Sequence, residues 1–271
     1  MLKPSRFLHR FGAIAAALLV GLSAQVSADT VVYSNNGPPG DLETGAFVSF
    51  GGTPWSSGNT RSGGEIGIRT NFAQSGNGSM YLRTSSASGA AEAMYWTGDS
   101  LGALDNLIGL SYDWYRSSAS SAAVSAIAAP ALGIYVSDEA GSSGWINYEP
   151  YYNRTESPWS APVDAWTTAD AHDDGEALFW SRITGTWKSQ SLSAWQDELA
   201  GYQVYAVAGF IGSGASGDYI AAIDNISWQF DGSDAVTYNF EVVPEPSSVL
   251  MGVIAGGLGL AAAARRRFNR A

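Results

Sequence analysis

Residues 203–211 read QVYAVAGFI, and apolar side chains occupy both faces of this stretch. In an extended strand, successive side chains point to opposite faces. One face would carry Val204, Ala206, Ala208 and Phe210, and the other Tyr205, Val207, Gly209 and Ile211. A strand with two apolar faces is covered on both sides. The stretch therefore predicts a central strand within a layered β domain.

A second stretch, 107–115 (LIGLSYDWY), also alternates with period two. This pattern predicts a strand whose core face carries Ile108, Leu110, Tyr112 and Trp114. Gly-rich turns separate further short segments rich in β-branched and aromatic residues. We predict strands near 31–34, 46–50, 64–70, 78–84, 91–97, 107–116, 131–137, 144–149, 176–183, 202–211 and 219–230. Many short strands between such turns predict an all-β fold, an antiparallel β-sandwich of the jelly-roll type.

One short helix and one long loop complete this prediction. Ser193 and Gln196 have the spacing of a capping box, and Gly201 stands at the stop position, which predicts a helix over 193–200. Residues 117–129, SSASSAAVSAIAA, are low in complexity and predict a loop over the edge of the sandwich.

Composition excludes several classes of site. The chain has no cysteine and two histidines, which excludes disulfides, thiolate metal sites and multi-histidine metal sites. Residues 29–240 hold seven basic and 23 acidic residues, a net charge of −16. Such a body should repel nucleic acid, so we expect no nucleic-acid partner.

The N-terminus has the three parts of a secretory signal. Lys3, Arg6 and Arg10 precede the apolar run 11–22, and the small residues of Val26-Ser27-Ala28 suit cleavage before Asp29. An apolar run of about 12 residues is too short to span the roughly 30 Å hydrocarbon core of a bilayer. We predict a signal helix, removed with a signal peptide of residues 1–28.

The C-terminus combines three features in a fixed order. Pro244, Glu245 and Pro246 come first, an apolar run over 249–264 follows, and basic residues close the chain. The basic cluster is Arg265, Arg266 and Arg267. Sixteen residues of helix rise roughly 24 Å, which predicts a marginal transmembrane helix with the arginines on the cytoplasmic side.

This tail, residues 241–271, resembles the PEP-CTERM sorting signal of Gram-negative bacteria. The resemblance implies recognition by an exosortase, transient anchoring in the inner membrane, removal of the helix, and delivery to the cell surface or the exopolysaccharide matrix. Such tails are attached to many unrelated bodies, so the resemblance carries no implication for residues 29–240.

The two ends of the body resemble jelly-roll carbohydrate-binding modules and lectin-like domains. The stretch 219–228, YIAAIDNISW, is similar to their last strand, and 41–45, DLETG, is similar to their start. In those modules, acids from the two ends meet at a structural calcium ion, which implies Asp41, Glu43 and Asp224 as ligands. Asp224 could instead cap a turn through backbone hydrogen bonds.

Aromatic residues are concentrated between 145 and 187. Sugar rings present apolar faces that stack on aromatic planes, and exposed apolar patches often mark binding sites. The candidate glycan contacts are Tyr148, Tyr151, Tyr152, Trp159 and Trp166. These residues could equally fill a core, as we expect for Trp114, Trp228, Trp180 and Trp187.

Known catalytic motifs are missing from the sequence. There is no Gly-x-Ser-x-Gly elbow and no P-loop. We therefore expect a protein that is not an enzyme, with a structural or glycan-binding role in the exopolysaccharide layer. The alternative is a polysaccharide-degrading enzyme with a carboxylate pair on a lectin-like fold, which needs two carboxylates about 5–10 Å apart.

Overall fold

A computed structural model describes residues 29–213 and 217–244. They form a β-sandwich of two sheets. The seven-stranded sheet contains β1 (Thr30–Tyr33), β3 (Gly64–Arg69), β4 (Ser79–Thr84), β7 (Leu107–Arg116), β10 (Trp166–Asp170), β14 (Tyr219–Phe230) and β15 (Val236–Glu241). The eight-stranded sheet contains β2 (Trp55–Ser57), β5 (Ala91–Trp96), β6 (Gly102–Ala103), β8 (Ala131–Ser137), β9 (Ser143–Tyr148), β11 (Leu178–Ser181), β12 (Lys188–Ser191) and β13 (Gln203–Ile211).

The long strand β14 is the centre of the seven-stranded sheet. One edge of β14 pairs directly with both β4 and β15, with β15 further along the strand. The other edge of β14 pairs with β7. Strand β3 lies beyond β4, and β10 lies beyond β7. The pairing of β1 with β15 is parallel, and every other strand pairing in the described residues is antiparallel.

The eight-stranded sheet runs β12-β11-β9-β8-β13-β5-β2, with β6 also paired to β13. Strand β13 is central, as the sequence predicts. A bulge between Val204 and Ala206 shifts the alternation, so that Val204, Val207 and Ile211 all join the core between the sheets. Ala206 and Ala208 face the other way, where they form a separate small cluster with Met94.

The core lies between the two sheets and is rich in large side chains. Trp55, Trp114, Trp195, Tyr112 and Phe179 are all at most 1 % exposed. Burying side chains of this size stabilises the fold by roughly 1.5–3 kcal/mol each. This burial is the main stabilising term in a body without disulfides.

The predicted core face of β7 is correct at three of its four positions. Leu110, Tyr112 and Trp114 are buried, but Ile108 is 45 % exposed and Leu107 takes its place. The cause is a register shift against β14, where Gln229 pairs with Gly109 and Phe230 with Leu107. Ile108 is skipped in the pairing and its side chain turns outward.

Ten of the eleven predicted strands lie within two residues of an observed strand at each end. The prediction at 46–50 is wrong, because only Ser49 there forms a bridge, to Ser56. Five observed strands were not predicted: β2, β6, β10, β12 and β15. All five contain polar or small residues, and each pairs with a neighbouring strand that the sequence does predict.

One α-helix, α1 (Leu192–Glu198), is present in the described part of the chain. Its N-cap is Ser191, whose side chain accepts a hydrogen bond from the backbone N–H of Ala194, so the predicted capping box at Ser193 and Gln196 is wrong. Gln196 instead donates to the carbonyls of Leu104 and Leu107 across 3.0 and 2.9 Å. The helix thereby anchors the segment that leads into β7.

The contacts of the sandwich continue to the end of the described chain. The N–H of Val242 donates to Asn77 Oδ1, and that of Val243 donates to Ser34 Oγ, both across 3.0 Å. Within residues 29–213 and 217–244, no helix is long and apolar enough to cross a membrane. The predicted signal peptide and transmembrane helix lie outside the described residues.

Candidate functional site

The outer face of the eight-stranded sheet has a floor of small side chains. Ala208 of β13 pairs with Met94 of β5 on one side and with Gly133 of β8 on the other. Gly133 in turn pairs with Asn147 of β9. Because these positions alternate with core residues, their side chains point away from the sandwich. The small residues leave a groove that crosses the strands.

An array of aromatic rings lines one side of this groove. Trp96 contacts Tyr205 and Tyr135, with ring centroids 6.3 and 5.7 Å apart. Tyr135 continues the array to Trp145 at 5.4 Å. Trp96 is 40 % exposed, and its three neighbours are partly exposed. Aromatic planes at half burial can be reached by a ligand.

The groove consists of three adjoining hollows of about 540, 500 and 400 Å³. Glu92 and Trp145 line both the first and the second hollow. Trp180 and Phe210 line both the second and the third. The shared walls make one continuous depression, lined by aromatic rings with a few polar groups, as is typical of ligand sites.

The loop 117–129 closes the far end of the groove. The structure confirms that these residues form turns and irregular backbone. Arg116, at the end of β7, is 7 % exposed, and its Nη1 lies 2.9–3.0 Å from the carbonyls of Ser125, Ala126 and Ala128. This buried guanidinium fixes the loop against the third hollow, where Ile127 and Ala128 line the wall.

Two carboxylates sit in the groove. Glu92 Oε1 accepts a hydrogen bond from the N–H of Asn59 across 3.1 Å, and Glu149 Oε1 accepts one from Trp180 Nε1 across 2.9 Å. Burial raises the pKa of both carboxyl groups above its ordinary value, against the lowering effect of these hydrogen bonds. Both carboxyl groups therefore lie in a poorly hydrated setting that disfavours their charged form.

These two carboxylates are too far apart for glycoside hydrolysis. Glu92 lies on β5 and Glu149 follows β9, with β13 and β8 between them. Three strand spacings put their Cα atoms about 14 Å apart. Each carboxylate also leans outward, Glu92 towards Asn59 after β2 and Glu149 towards Trp180 on β11. Catalysis by a carboxylate pair needs a separation of about 5–10 Å.

Two of the predicted glycan contacts lie at the end of the groove. Tyr151 and Tyr152 line the third hollow, with their rings 5.2 Å apart. The guanidinium of Arg154 stacks over Tyr151 at 3.8 Å. Trp187, expected in the core, is instead 50 % exposed and contacts Tyr152. The aromatic lining therefore extends past the third hollow to the edge of the sheet.

The other predicted aromatic contacts lie elsewhere. Tyr148 is 5 % exposed and packs inward against Tyr112 and Phe179, and burial raises its pKa to about 12. Trp159 contacts Tyr151 but packs partly against the core. Trp166 lies on β10 of the opposite sheet. The structure therefore removes Tyr148 and Trp166 from the groove, since one faces inward and the other lies on the far sheet.

The groove residues that the sequence analysis missed share one pattern. They occupy alternate positions on strands whose other face is apolar, as in Glu92-x-Met94-x-Trp96 and Trp145-x-Asn147-x-Glu149. The strand 131–135 follows the same rule with Ala131, Gly133 and Tyr135. Polar and aromatic residues on the outward face of buried strands are the signal that could have located this site.

The three acids predicted as calcium ligands are not brought together. The backbone N–H groups of Asp41 and Glu43 donate to Ile68 and Ile66 of β3, so both acids lie along the outer edge of that strand. Strands β3 and β4 separate them from Asp224 on β14. In residues 29–213 and 217–244, no group of three or more His, Cys, Asp or Glu is arranged to hold a metal ion.

Each end of that predicted trio has a different structural setting. The carboxylate of Asp41 accepts from the backbone N–H groups of Asn35 and Asn36 and from the Asn36 amide, at 2.7–3.0 Å. Asp41 therefore stabilises a turn. Asp224 is fully buried, and this burial raises its pKa to about 7. Its two backbone hydrogen bonds oppose that shift, while the charges of Glu241 and Asp113 add to it.

Of the predicted sorting residues, only Pro244 falls in the described chain. It is exposed and follows β15 by three residues. Glu245, Pro246 and the arginines at 265–267 lie outside the described residues.

Comparison with known proteins gives no family assignment from sequence. No family model matches the chain, and no curated protein matches it.

The solved structures to which the chain is similar include carbohydrate-binding modules. One is from a study of promiscuous specificity in modules of the β-sandwich superfamily, with 12 % identity, a TM-score of 0.36, and coverage of 75 % of this chain and 63 % of that one. A second is a family 11 module from Clostridium thermocellum, described in complex with a β-1,3-1,4-mixed-linked tetrasaccharide, with 12 % identity and a TM-score of 0.37. It matches over 73 % of this chain and 96 % of that one.

A third similar structure is an exo-β-agarase. It has 12 % identity and a TM-score of 0.35, over 64 % of this chain and 23 % of that one. The present chain thus spans less than two thirds of the first of these structures and about a quarter of the agarase.

Proposed function

We propose that this protein binds a glycan in the groove of the eight-stranded sheet and that it does so without catalysis. The observation that carries the proposal is the aromatic array of Trp96, Tyr135 and Trp145 beside a floor of small residues. Planar rings stack on the apolar faces of sugar rings. The small residues of the floor leave room for a glycan chain to lie beside these rings. Glu92, Glu149 and Asn147 supply acceptors for hydroxyl groups along the same path.

The dimensions of the groove favour an oligosaccharide over a single sugar. From β5 to β11 the groove crosses four strand spacings, or roughly 19 Å. Aromatic rings occur at both ends of this path, with Trp96 at one end and Tyr152 at the other. A ligand that contacts both must be a chain.

We further propose that the protein is exported and sorted to the cell surface or extracellular matrix of a Gram-negative bacterium. The signal sequence at 1–28 and the tail at 241–271 support this proposal. An exosortase would be the processing partner, with Pro244, Glu245 and Pro246 as the recognition element and the C-terminal helix as a transient membrane anchor. Pro244 is exposed at the end of the sandwich, which suits access by a protease. The bound glycan would then be part of the exopolysaccharide layer.

Affinity electrophoresis tests the binding proposal. The full chain, kept in a non-ionic detergent, is run through gels that contain different polysaccharides, with the host's own exopolysaccharide among them. We expect retardation in at least one gel and weaker retardation for Tyr151→Ala/Tyr152→Ala. Equal mobility in every gel would instead support a structural surface protein without a glycan ligand.

Processing has a separate test in a host that contains an exosortase. Glu245→Ala should leave the uncleaved, membrane-attached form in place, whereas the unaltered chain is released. Equal release of both proteins would contradict the sorting proposal.

A further inference from the structure

The positive charges of the body are placed unevenly over its surface. Residues 29–240 contain seven basic side chains against 23 acidic ones. Three of the seven line the groove of the eight-stranded sheet or contact a ring that lines it, namely Arg61, Arg154 and Arg182. Among the described residues, the acids that line the groove are two, Glu92 and Glu149. The groove therefore carries a net charge of +1, whereas the rest of the body, with four basic and 21 acidic residues, carries −17.

The other four basic side chains have partners away from the groove. Arg83 and Lys188 form the ion pairs found in residues 29–213 and 217–244, and Arg116 is buried against backbone carbonyls. Arg69 lies on the opposite sheet, with its guanidinium over the ring of Tyr81. The three groove arginines have no carboxylate of the described chain within ion-pair distance. Their charges are therefore open to a negatively charged ligand.

The guanidinium of Arg61 is held in place at one wall of the groove. Its Nε donates to Asn59 Oδ1 across 2.8 Å, and its Nη1 donates to the carbonyl of Ser88 across 3.1 Å. Its Nη2 makes no hydrogen bond in the described structure, which leaves this nitrogen for an acceptor on a ligand. Burial raises the pKa of Glu92, and the positive charge of Arg61 opposes that shift, so the guanidinium acts on the groove wall. A charge that is already oriented loses little freedom on binding.

Arg182 and Arg154 extend the positive charge along the groove. Arg182 directly follows β11, is exposed, and lines the second hollow together with Arg61. Because β9, β8 and β13 lie between β11 and β5, the two arginines approach this hollow from opposite sides. Arg154 lies beside the third hollow, where its Nη1 donates to the carbonyl of Tyr151 and its plane stacks over that ring. Positive groups at three positions along one groove match a chain with repeated negative charges better than a single anion.

We propose that the glycan bound in this groove is an acidic polysaccharide whose anionic substituents pair with Arg61, Arg154 and Arg182. The proposal rests on the proposed glycan-binding function and adds the chemical class of the ligand. The carboxylates of uronic acids and the oxygens of sulfate esters share the required chemistry, since both present paired oxygens to the fork of a guanidinium group. The aromatic rings of the groove stack on the sugars between these charges. The acid excess over the rest of the body repels the same polymer, which directs it to the groove.

Affinity electrophoresis with matched pairs of polysaccharides tests the ligand class. The full chain, in a non-ionic detergent, is run through gels that contain polygalacturonate or its methyl ester, and carrageenan or agarose. Each pair differs in charge on a similar backbone. The host's own exopolysaccharide is compared in the same way before and after chemical reduction of its carboxyl groups, and before and after desulfation.

We expect stronger retardation by the charged member of at least one pair, and weaker retardation as sodium chloride is raised. The pair that responds identifies the carboxylate or the sulfate ester as the recognised group. If no charged member retards the chain more than its neutral partner, or if retardation does not change with salt, the acidic ligand is overturned while glycan binding stands. Absence of retardation in every gel would overturn both proposals.

Matched variants locate the charges that bind. Arg61→Gln and Arg182→Gln should each weaken retardation by the charged polysaccharide about tenfold, the effect of losing a hydrogen bond to a charged group. Arg182 is exposed and its side chain makes no hydrogen bond in the described structure, so Arg182→Gln should fold even if Arg61→Gln does not. Arg69→Gln is the control, because it removes the same charge from the opposite sheet and should bind as the unaltered chain does. Unchanged binding by Arg182→Gln, or an equal loss in Arg69→Gln, would overturn the proposal.

Discussion

The indole Nε1 of Trp180 donates a hydrogen bond to Glu149 Oε1 across 2.9 Å, within the groove of the eight-stranded sheet. Trp180 lies on β11 and pairs with Asn147 of β9, so the strand fixes the backbone and the carboxylate fixes the ring. A ring that is held at both ends loses little freedom on binding a ligand. Trp180 is therefore a preorganised stacking plane between the second and third hollows.

Trp180→Ala should weaken glycan binding by about 2 kcal/mol or more, the size of a truncated aromatic anchor in a binding site. Trp180→Phe keeps an aromatic face but leaves Glu149 without its donor. Its glycan binding should therefore be weaker than that of the unaltered chain and stronger than that of Trp180→Ala. The measurement is retardation in polysaccharide gels at matched protein concentration. Trp166→Ala is the control, because Trp166 lies on the opposite sheet. A loss with Trp166→Ala equal to that with Trp180→Ala would contradict this role.

Gly133→Val should block the groove without unfolding the domain. A Cβ at this position would meet Asn147 Oδ1 at 2.8 Å, Trp145 Cε3 at 3.1 Å and Phe210 Cε1 at 3.3 Å. All three atoms belong to side chains that line the groove, so the added bulk fills the space a ligand needs. Valine suits a β-strand. We expect near-native circular dichroism and loss of retardation in polysaccharide gels.

Gly109→Val provides the matched control for that variant. Gly109 lies within β7 of the other sheet, where a Cβ would meet Gln229 Cβ at 3.2 Å. This change places the same side chain in a strand remote from the groove. Retained binding by Gly133→Val, or an equal loss of binding in both variants, would show that the floor of the groove does not admit the ligand.

Glu92→Gln should change stability with pH in a defined direction. Burial raises the pKa of Glu92 in the folded protein above its ordinary value of 4.5, so the folded state holds the proton to higher pH than the unfolded state does. The native group therefore favours folding below pH 4.5, and this contribution is lost as pH rises through the folded pKa. The variant keeps the acceptor for Asn59. Its stability relative to that of the unaltered chain should therefore rise as the pH increases from 4.5 through the folded pKa of Glu92.

Glu198→Gln is a control of opposite sign. The hydrogen bond from Lys188 lowers the pKa of Glu198, so this carboxylate favours folding above its ordinary pKa, and the contribution is lost as pH falls. Urea unfolding at a series of pH values between 3 and 8 measures both variants. If the stability of Glu92→Gln and that of Glu198→Gln changed with pH in the same direction, the opposite pKa shifts assigned to Glu92 and Glu198 would be contradicted.

Much of the architecture is readable from periodicity, and the failures have local causes. The alternation at 107–115 locates β7 and three of its four core residues, but a bulge cannot be read from one strand, so Ile108 is placed on the wrong face. The short strand β12 (Lys188–Ser191) consists of polar residues and forms because it pairs with β11. Pairing of this kind is a tertiary effect that no single segment encodes.

The candidate site was only partly predictable for a similar reason. Tyr151 and Tyr152 stand in an irregular segment, where an aromatic residue has no core to fill, and they do line the groove. Trp166 occurs in the same stretch of sequence but lies on the other sheet, because the chain crosses the sandwich between β9 and β10. Proximity in sequence therefore did not give proximity in space. For Asp41 the cause is different, since the strands β3 and β4 lie between it and Asp224.

Ser191→Ala should destabilise the protein by about 1 kcal/mol, the usual cost of losing an N-cap. Ser191 Oγ accepts from the N–H of Ala194 at the start of the helix that buries Trp195. Ser193→Ala is the control, since the Ser193 hydroxyl shares a hydrogen bond with that of Ser191 and does not accept from the N–H of Ala194. Urea unfolding should show the larger loss for Ser191→Ala. A larger loss for Ser193→Ala would restore the capping box that the sequence alone indicates.

Hydroxyl-radical footprinting tests the central claim most directly. The full chain is oxidised with and without a polysaccharide that retards it in gels, and the modified side chains are located by mass spectrometry. We predict protection of Trp96, Tyr135 and Trp145 in the groove, and unchanged oxidation of Trp166 and Tyr81 on the opposite sheet. Protection of Trp166 and Tyr81 in place of the groove residues, or the absence of any polysaccharide that retards the chain, would contradict the claim.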